Sequence, residues 1–201
     1  MTSQILRAGP ADAERLAAML GRAFEDDPVQ AWLFPRAEGR RARVQVFFDL
    51  EVRDILLPRG EVWASPGRES AAGWMPPGQW KIPMRTMLRH APALLRVLGR
   101  RTMLALRGLG QIEARHPREP HWYLAVLGTD PVEQGRGLGS SVLAPVLGRC
   151  DDEGLGAYLE SSKEENLAFY SRHGFEVTEE VQLPNGPPVW LMWRDPQPGR
   201  G

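Results

Sequence analysis

The pattern of apolar and polar residues divides the chain into short strand-like runs and longer stretches with helical spacing. Short apolar or alternating runs bounded by turn residues predict strands, at residues 3–8, 61–64, 71–75, 121–129, 157–161, 175–183 and 189–194. Apolar residues spaced three and four apart predict helices, at residues 10–25, 40–57, 82–114, 137–152 and 163–173. Because no internal repeat or long linker separates these elements, residues 1–201 are expected to form one domain.

The predicted helical stretch at residues 82–114 is basic and is interrupted or bent at Pro92 and Gly99. Methionine and leucine side chains follow one side of it, and we expect this stripe to pack into the core rather than face lipid. Residues 81–118 carry nine basic residues and one acid, whereas residues 150–180 carry nine acids and two bases. Such a division would steer a cationic substrate toward the acidic block, although solvated surfaces explain both blocks equally well.

Composition excludes several classes of protein. Cys150 is the single cysteine, so a disulfide framework and a cysteine-based zinc site are ruled out. The four histidines show no metal-ligand spacing, and no metal is expected. The formal net charge is zero and no apolar run approaches the ~18 residues of a membrane span, so we expect neither a nucleic-acid nor a membrane partner. Without a signal-peptide pattern, the expected location is the cytoplasm.

A glycine-rich sequence, Gln134–Gly139 (QGRGLG), lies between a predicted strand and a predicted helix. Glycines at that position leave backbone N–H groups open at a helix N-terminus, where a phosphate or pyrophosphate can bind. No lysine follows, as a Walker loop would require, and too few strands follow to complete a dinucleotide-binding fold. Two interpretations remain, an ordinary glycine-rich turn and the [Q/R]-x-x-G-x-[G/A] pattern that holds the pyrophosphate of coenzyme A.

Further polar residues follow in Leu159–Ser162 (LESS) and in the helix after it. Ser162 and Glu165 have the spacing of a capping box, which predicts that this helix starts directly after Ser162. Asn166 and Tyr170 are four residues apart, so they share one face of the helix. A strand, a capped helix that carries a tyrosine, and a Gly-Phe return therefore accompany the glycine-rich sequence.

Together these motifs resemble the GCN5-related N-acetyltransferase (GNAT) family. The resemblance covers residues 116–194 and rests on five segments, Arg118–Pro120 (REP), Gln134–Ser140 (QGRGLGS), Leu159–Ser161 (LES), Asn166–Tyr170 (NLAFY) and His173–Phe175 (HGF). It implies a mixed α/β fold with a central, mostly antiparallel twisted sheet, a splayed parallel strand pair at residues 121–129 and 157–161, and helices on both faces. It also implies that residues 1–201 form a single acetyltransferase domain with a basic helical insert at about 82–114.

The activity that the resemblance implies is direct transfer of an acetyl group from acetyl-CoA, a co-substrate, to the primary amine of a small-molecule or aminoacyl-like acceptor. Modification of an antibiotic amine is among the functions implied. The protein is expected to be a monomer or a homodimer. Positions matching the family's cofactor site are Leu127, Gly128, Thr129, Gln134, Gly135, Arg136, Gly137, Leu138, Gly139, Ser140 and Asn166. Tyr170 matches the general acid for the departing thiolate, and Glu160 matches a carboxylate that deprotonates the amine directly or through water.

Each of these roles has a simpler alternative. Tyr170 also fits a core aromatic residue, Glu160 fits a solvated strand residue, and the acids at residues 25–27 either line the acceptor side or end a helix. The alternative functions are a non-catalytic acyl-CoA sensor and a surface-binding or nucleic-acid-binding protein that uses the basic helices. We expect the acceptor to be a cation with an apolar or aromatic body, facing Trp32, Trp63, Trp74 or Trp80.

Overall fold

Seven strands form one sheet in the computed structural model, which describes residues 4–197. The strands are β1 (Leu6–Arg7), β2 (Glu61–Ala64), β3 (Ser70–Met75), β4 (His121–Thr129), β5 (Gly156–Ser161), β6 (Glu176–Gln182) and β7 (Pro188–Arg194). Their order is β1-β2-β3-β4-β5-β7-β6, and neighbouring strands are antiparallel except β4 and β5, which run parallel. The expected mostly antiparallel sheet with one parallel pair is confirmed. β1 is shorter than the predicted strand 3–8, whose residue 3 lies outside the described residues.

The parallel pair separates halfway along its length. Leu124 and Leu159 form the last pair between β4 and β5. On the opposite edge of β4, Gly73 pairs with Val126, whereas the next residue of β3 pairs with Leu124. Ala125 is therefore an extra residue in β4, a β-bulge, which bends the strand and reverses the faces of the side chains that follow. Because the bulge coincides with the end of the pairing, β4 and β5 diverge from this point.

Helices cover both faces of the sheet. They are α1 (Ala13–Ala23), α2 (Pro28–Leu33), α3 (Arg40–Glu51), α4 (Leu57–Arg59), α5 (Met84–Leu98), α6 (Thr102–Glu113), α7 (Leu138–Glu153) and α8 (Leu167–Arg172). One core contains Leu16, Leu20 and Phe48 from α1 and α3, and the other contains Leu143 and Tyr170 from α7 and α8. The two cores lie on opposite faces because successive side chains of a strand point to opposite sides. The α/β arrangement is confirmed.

The acidic turn after α1 differs from the prediction. The sequence predicts that Asp27 and Pro28 lie in a turn that ends a helix, but they begin α2, which the apolar pattern does not predict. The Asp27 carboxylate accepts hydrogen bonds from the backbone N–H groups of Val29 at 2.9 Å and Gln30 at 3.0 Å. Asp27 thus satisfies donors that the first helical turn leaves unpaired, and proline fits the first position because it has no N–H to lose.

A wider, π-helical turn over Val52–Leu56 joins α3 to α4. Inserting such a turn changes the direction in which neighbouring side chains project, and π-turns occur frequently at functional sites. Glu51, the last residue of α3, directly precedes it.

The helical prediction for residues 82–114 is confirmed, but the expectation that its apolar stripe is buried is wrong. α5 continues through Pro92 and ends at Gly99, where α6 follows after one short turn. Met84 and Leu88 of the stripe expose 67% and 66% of their surface. α5 packs beside α3 rather than on the sheet, whose nearer face α1 and α3 already cover. No helix among residues 4–197 is long and apolar enough to cross a membrane.

Candidate active site

The glycine-rich sequence connects the end of β4 to the start of α7. Gly135 and Gly137 have φ values of +77° and +78°, a conformation that glycine adopts without steric cost. A Cβ atom at Gly137 would meet nothing within 4 Å, so the loop is open at this position. α7 begins at Leu138, and the N–H groups of its first turn have no acceptor within the helix. With the helix dipole, they form a site suited to an anion.

Contacts with α8 hold this loop in place. The Ser140 hydroxyl and the Nε2 atom of His173 are hydrogen-bonded at 2.9 Å. A Cβ atom at Gly139 would lie 3.3 Å from the Phe169 ring, so the glycine permits the close approach of α8. The anion site and the helix that carries Tyr170 are therefore fixed relative to each other.

The remaining loop residues are paired within the loop. The Gln134 side-chain amide donates a hydrogen bond to the Thr129 carbonyl at 3.3 Å. Arg136 forms an ion pair with Glu133 and its side chain is 67% exposed. Arg136 can therefore leave Glu133 and contact a ligand on the loop, because breaking an exposed ion pair costs little free energy.

Past the bulge, Leu127, Gly128 and Thr129 lie on the part of β4 that has left β5. β3 pairs with their other edge, so the edge toward β5 offers unpaired backbone groups to an extended ligand. A Cβ atom at Gly128 would lie 2.6 Å from Leu20, which shows that α1 packs directly on the strand here. Thr129 and Ser70 share a hydroxyl–hydroxyl hydrogen bond of 2.8 Å.

Tyr170 is 8% exposed and lies in the same buried region as Asp27. Burial raises the pKa of Tyr170, and the negative charge of Asp27 raises it further. The hydroxyl therefore stays protonated at neutral pH. Ser162 donates a hydrogen bond to the second oxygen of Asp27, so the predicted capping box is wrong. The Ser162 hydroxyl links β5 to α2, and the chain enters α8 through a short turn over Glu164–Asn166.

Glu160 is the first residue of β5 after the last pair with β4. Its Oε2 atom accepts a hydrogen bond of 2.6 Å from the Tyr123 hydroxyl. Its Oε1 atom lies 3.7 Å from Nδ1 of His116. The Glu160 side chain is 15% exposed, so the interpretation as a solvated strand residue is wrong. The carboxylate is held in a partly enclosed position where the two strands open.

Aromatic rings enclose this carboxylate. Trp80 stacks on His116 with the ring centroids 3.7 Å apart, and Tyr123 and Tyr158 contact His116 edge-on at 5.0 and 4.7 Å. His116 is in turn hydrogen-bonded to His121 through their Nε2 atoms at 3.0 Å. Such rings provide an apolar wall that also attracts cations.

A second carboxylate, Glu51, lies near Glu160. Burial raises the pKa of Glu51 to about 7, and the charge of Glu160 contributes to the increase. Within the part of the chain that the structure describes, the Glu51 carboxylate has no hydrogen-bond or ion-pair partner. The arrangement therefore holds two carboxylates and several aromatic rings where the strands separate, and it suits the binding of an amine.

The expected acceptor-facing tryptophans are not all in this region. Trp74 is fully buried, and Trp32, 6% exposed, donates a hydrogen bond to the Pro184 carbonyl. Trp63 donates to the Glu61 carboxylate. Of these four tryptophans, Trp80 lies beside the proposed acceptor site, where its ring stacks on His116. His116 in turn faces the Glu160 carboxylate. Asn166 is exposed at the start of α8.

Sequence reasoning missed Tyr123, His116 and Glu51. The two-residue period of strands offers a signal for Tyr123, since Tyr123 pairs with Tyr158 and Glu160 follows two residues later on the same face. His116 and Glu51 reach the site from a loop and a helix end, and no local pattern places them there. Among residues 4–197, no group of three or more His, Cys, Asp or Glu side chains could hold a metal ion.

Comparisons with known proteins agree with this geometry. The model of the acetyltransferase (GNAT) family matches residues 70–175, more than half of the chain. An uncharacterised N-acetyltransferase of Schizosaccharomyces pombe is 28% identical over 201 residues, covering 92% of this chain and 81% of that protein. The chain therefore belongs to the GNAT family of acetyltransferases.

Solved structures show the same fold. A Corynebacterium glutamicum protein described as "histone acetyltransferase HPA2 and related acetyltransferase" superimposes with a TM-score of 0.73, 24% identity and full coverage of both chains. A polyamine N-acetyltransferase of Drosophila melanogaster that forms N-acetylagmatine has a TM-score of 0.59 and 17% identity, covering 96% of this chain and all of that one.

Proposed function

We propose that this protein transfers an acetyl group from acetyl-CoA to the primary amine of a small-molecule acceptor that carries positive charge. The observation that carries the proposal is the bulge at Ala125, which opens β4 from β5 between the glycine-rich loop and the carboxylate of Glu160. An anion site, a free strand edge and a proton-accepting group thus follow one another along one opening. The family supplies the use of acetyl-CoA.

The residues present fit coenzyme A. The first-turn N–H groups of Leu138, Gly139 and Ser140 suit its pyrophosphate, because Gly135 and Gly137 keep the approach free of side chains. The unpaired edge at Leu127–Thr129 suits its amide-containing arm. When bound, acetyl-CoA supplies the thioester carbon that the amine attacks. Asn166 stays a predicted cofactor contact.

Two groups of this chain move protons in the proposed reaction. Glu160 accepts a proton from the acceptor ammonium, directly or through a water molecule, and leaves a nucleophilic amine. Tyr170 holds a proton at its hydroxyl oxygen and donates it to the departing sulfur. Backbone N–H groups on the free edge of β4 polarise the carbonyl. Of the three hydrogens on the ammonium, one stays on the amide nitrogen, one replaces the proton that Tyr170 gives to the thiol, and one is released to solvent.

The acceptor class follows from the two carboxylates and the rings of Trp80, His116 and Tyr123. Polyamine and agmatine acetyltransferases share the fold, which supports a cationic amine. The order of the motifs also resembles puromycin N-acetyltransferase, so an antibiotic amine belongs to the same proposal. The cytoplasmic location, the organisation as one domain with an insert at about 82–114, and the monomeric or homodimeric state stay predictions.

The test is an acetyl-transfer assay on the purified chain. Acetyl-CoA is mixed with single amines, including agmatine, a polyamine, puromycin and an acidic amino acid, while free thiol is monitored and products are identified by mass spectrometry. We expect amine-dependent thiol release with the cationic acceptors. Binding of acetyl-CoA by calorimetry without transfer to any amine would indicate the sensor function. If the chain neither binds acetyl-CoA nor transfers an acetyl group, the proposal is contradicted entirely.

A further inference from the structure

The hydrogen-bond chain behind Glu160 determines which histidine nitrogen carries a proton. Nδ1 of His121 lies 2.6 Å from the backbone carbonyl of Glu119. A carbonyl oxygen can only accept, so Nδ1 of His121 is the donor in this bond. Burial lowers the pKa of His121, so the ring is neutral near pH 7 and its Nε2 atom carries a lone pair.

The orientation of His121 determines the tautomer of His116. Because Nε2 of His121 can only accept, the 3.0 Å bond between the two rings requires that His116 donates from its own Nε2 atom. When His116 is neutral, its Nδ1 atom is therefore unprotonated, and this atom lies 3.7 Å from Oε1 of Glu160. An imidazole lone pair and a carboxylate oxygen thus face each other with room for one shared proton.

The surroundings favour a charged His116 once a proton reaches it. Trp80 is stacked on the imidazole at 3.7 Å with an interplanar angle of 21°, an arrangement that attracts a cation to the ring face. The Glu160 side chain supplies a negative partner on the Nδ1 side. His116 is 8% exposed, so little solvent screens this pair.

We propose that His116 is a positioning residue that acts through Glu160 by storing at Nδ1 the proton that Glu160 removes from the acceptor ammonium. The inference rests on the proposed acetyltransferase function. The acceptor changes from R–NH₃⁺ to R–NH₂, Glu160 passes the proton from Oε1 to Nδ1, and the result is an imidazolium beside a carboxylate. The 3.7 Å separation is closed by a small approach of the two side chains.

His121 locks the tautomer and does not carry the proton further, because its Nδ1 proton is bonded to a carbonyl that cannot accept another. The proton therefore returns through Glu160 to solvent after the product has left. Titratable groups from several elements face the His116–Glu160 pair. They are Glu51 from α3, Glu119 from the loop before β4, His121 and Tyr123 from β4, and Tyr158 from β5. Glu179 from β6 lies beside Tyr158.

Kinetics test the proton store. An ordinary imidazole binds a proton about two pH units more tightly than an ordinary carboxylate. In His116→Gln the acidic limb of the kcat/KM profile should move to lower pH by about one unit or more. The plateau kcat should fall about tenfold or more, because Glu160 alone is a weaker base. The matched control is His90→Gln, which changes a histidine of α5 that lies beside Asp54. It should leave the acidic limb and the plateau kcat unchanged.

Histidine NMR supplies a readout that needs no turnover and no variant at His116. In the ¹⁵N-labelled wild-type protein, His121 should show the Nδ1–H tautomer near pH 7. Neutral His116 should show the Nε2–H tautomer, with its Nδ1 atom unprotonated. A neutral His116 ring that carries its proton on Nδ1, or an acidic limb in His116→Gln that coincides with the wild type, would overturn the proposal.

The two proposals fail differently. If the wild-type protein acetylates no amine while neutral His116 shows the Nε2–H tautomer, the acetyltransferase function fails and the arrangement of the His116–Glu160 pair stands. If transfer is robust and depends on Glu160 while His116→Gln raises KM with an unchanged pH profile, His116 has only a structural role.

Discussion

At the scale of single residues, the pKa of Tyr170 bears on its proposed role as the proton donor to the departing sulfur. Burial and the nearby charge of Asp27 both raise the pKa of Tyr170, so the hydroxyl is protonated at neutral pH, as the proposed role requires. Tyr170→Phe removes the hydroxyl and little else. We expect kcat to fall by ~10² to 10⁴-fold while acetyl-CoA affinity, measured by calorimetry, is retained. Equal turnover of the variant at every pH would show that the thiolate leaves unassisted.

Glu51 gives a second residue-scale prediction, on stability. Its pKa rises from 4.5 in an unstructured peptide to about 7 in the folded protein, so the protonated form is the one that folding favours. The stability that this group contributes is complete below pH ~4.5 and is lost as the pH rises through about 7. Glu51→Gln, a neutral mimic, should therefore raise the free energy of unfolding at pH ~8 by up to about 3 kcal/mol.

The same substitution should have little effect at pH ~4.5. Urea unfolding at both pH values measures the difference, and the exposed Glu165→Gln serves as the control. A stability gain of Glu51→Gln that does not depend on pH would show that the carboxylate is solvated.

At the scale of elements, α7 has a glycine with positive φ at each end, and only one end adjoins the opening between β4 and β5. Gly137 has φ +78° and Gly154 has φ +66°, and a Cβ atom at either would meet nothing within 4 Å. Valine at either position should destabilise the fold by a similar amount, about 1–2 kcal/mol. Gly137→Val should in addition weaken acetyl-CoA binding at least ~10-fold, because its side chain projects where the pyrophosphate would bind.

Gly154→Val is the matched control, since it introduces the same strain at the far end of the same helix. Calorimetric titration of both variants with acetyl-CoA, after circular dichroism has confirmed folding, makes the comparison. An equal affinity for the two variants would indicate that coenzyme A does not use the glycine-rich loop.

At the scale of the whole molecule, the acidic block of residues 150–180 does not form one wall. Asp151 is paired with Arg194 at 2.8 Å and Glu179 with Arg115 at 2.7 Å. Glu176, Glu179 and Glu180 lie exposed on β6, the edge strand of the sheet, where charges discourage association between edges. We therefore propose the carboxylates of Glu160 and Glu51, where the strands separate, as the source of selectivity for cations.

This distribution predicts a salt-insensitive preference. Among amines of equal length, the acceptor with a cationic far end should have a higher kcat/KM than neutral or anionic analogues. Raising the salt from ~0.1 to ~1 M shortens the Debye length from about 10 Å to about 3 Å, yet the preference should persist because enclosed charges are screened less. A preference that disappears at high salt would indicate long-range steering by the charge blocks, and a preference for anionic acceptors would contradict both mechanisms.

Local patterns in the chain are sufficient to predict most elements and the family, and they suggest where the chemistry lies. The strands at residues 121–129 and 157–161, and the glycine-rich start of α7, follow from such patterns. They suffice because periodicity, helix termini and glycine conformations depend on neighbouring residues. For the same reason the glycine-rich sequence alone makes Gly137 a candidate for the anion site, and its φ of +78° is one that favours glycine.

The meeting of distant segments depends on tertiary contacts. The sequence predicts that Ser162 caps α8, but its hydroxyl donates to the Asp27 carboxylate, 135 residues away. A buried carboxylate needs a donor, whereas solvent can satisfy the N–H groups at the start of an exposed helix. The bulge at Ala125 exists only through a one-residue shift against β3. His116, Trp80 and Glu51 reach Glu160 from three separate segments. Packing and electrostatic interactions between distant segments bring these groups together. The spacing of residues along the chain does not encode such interactions.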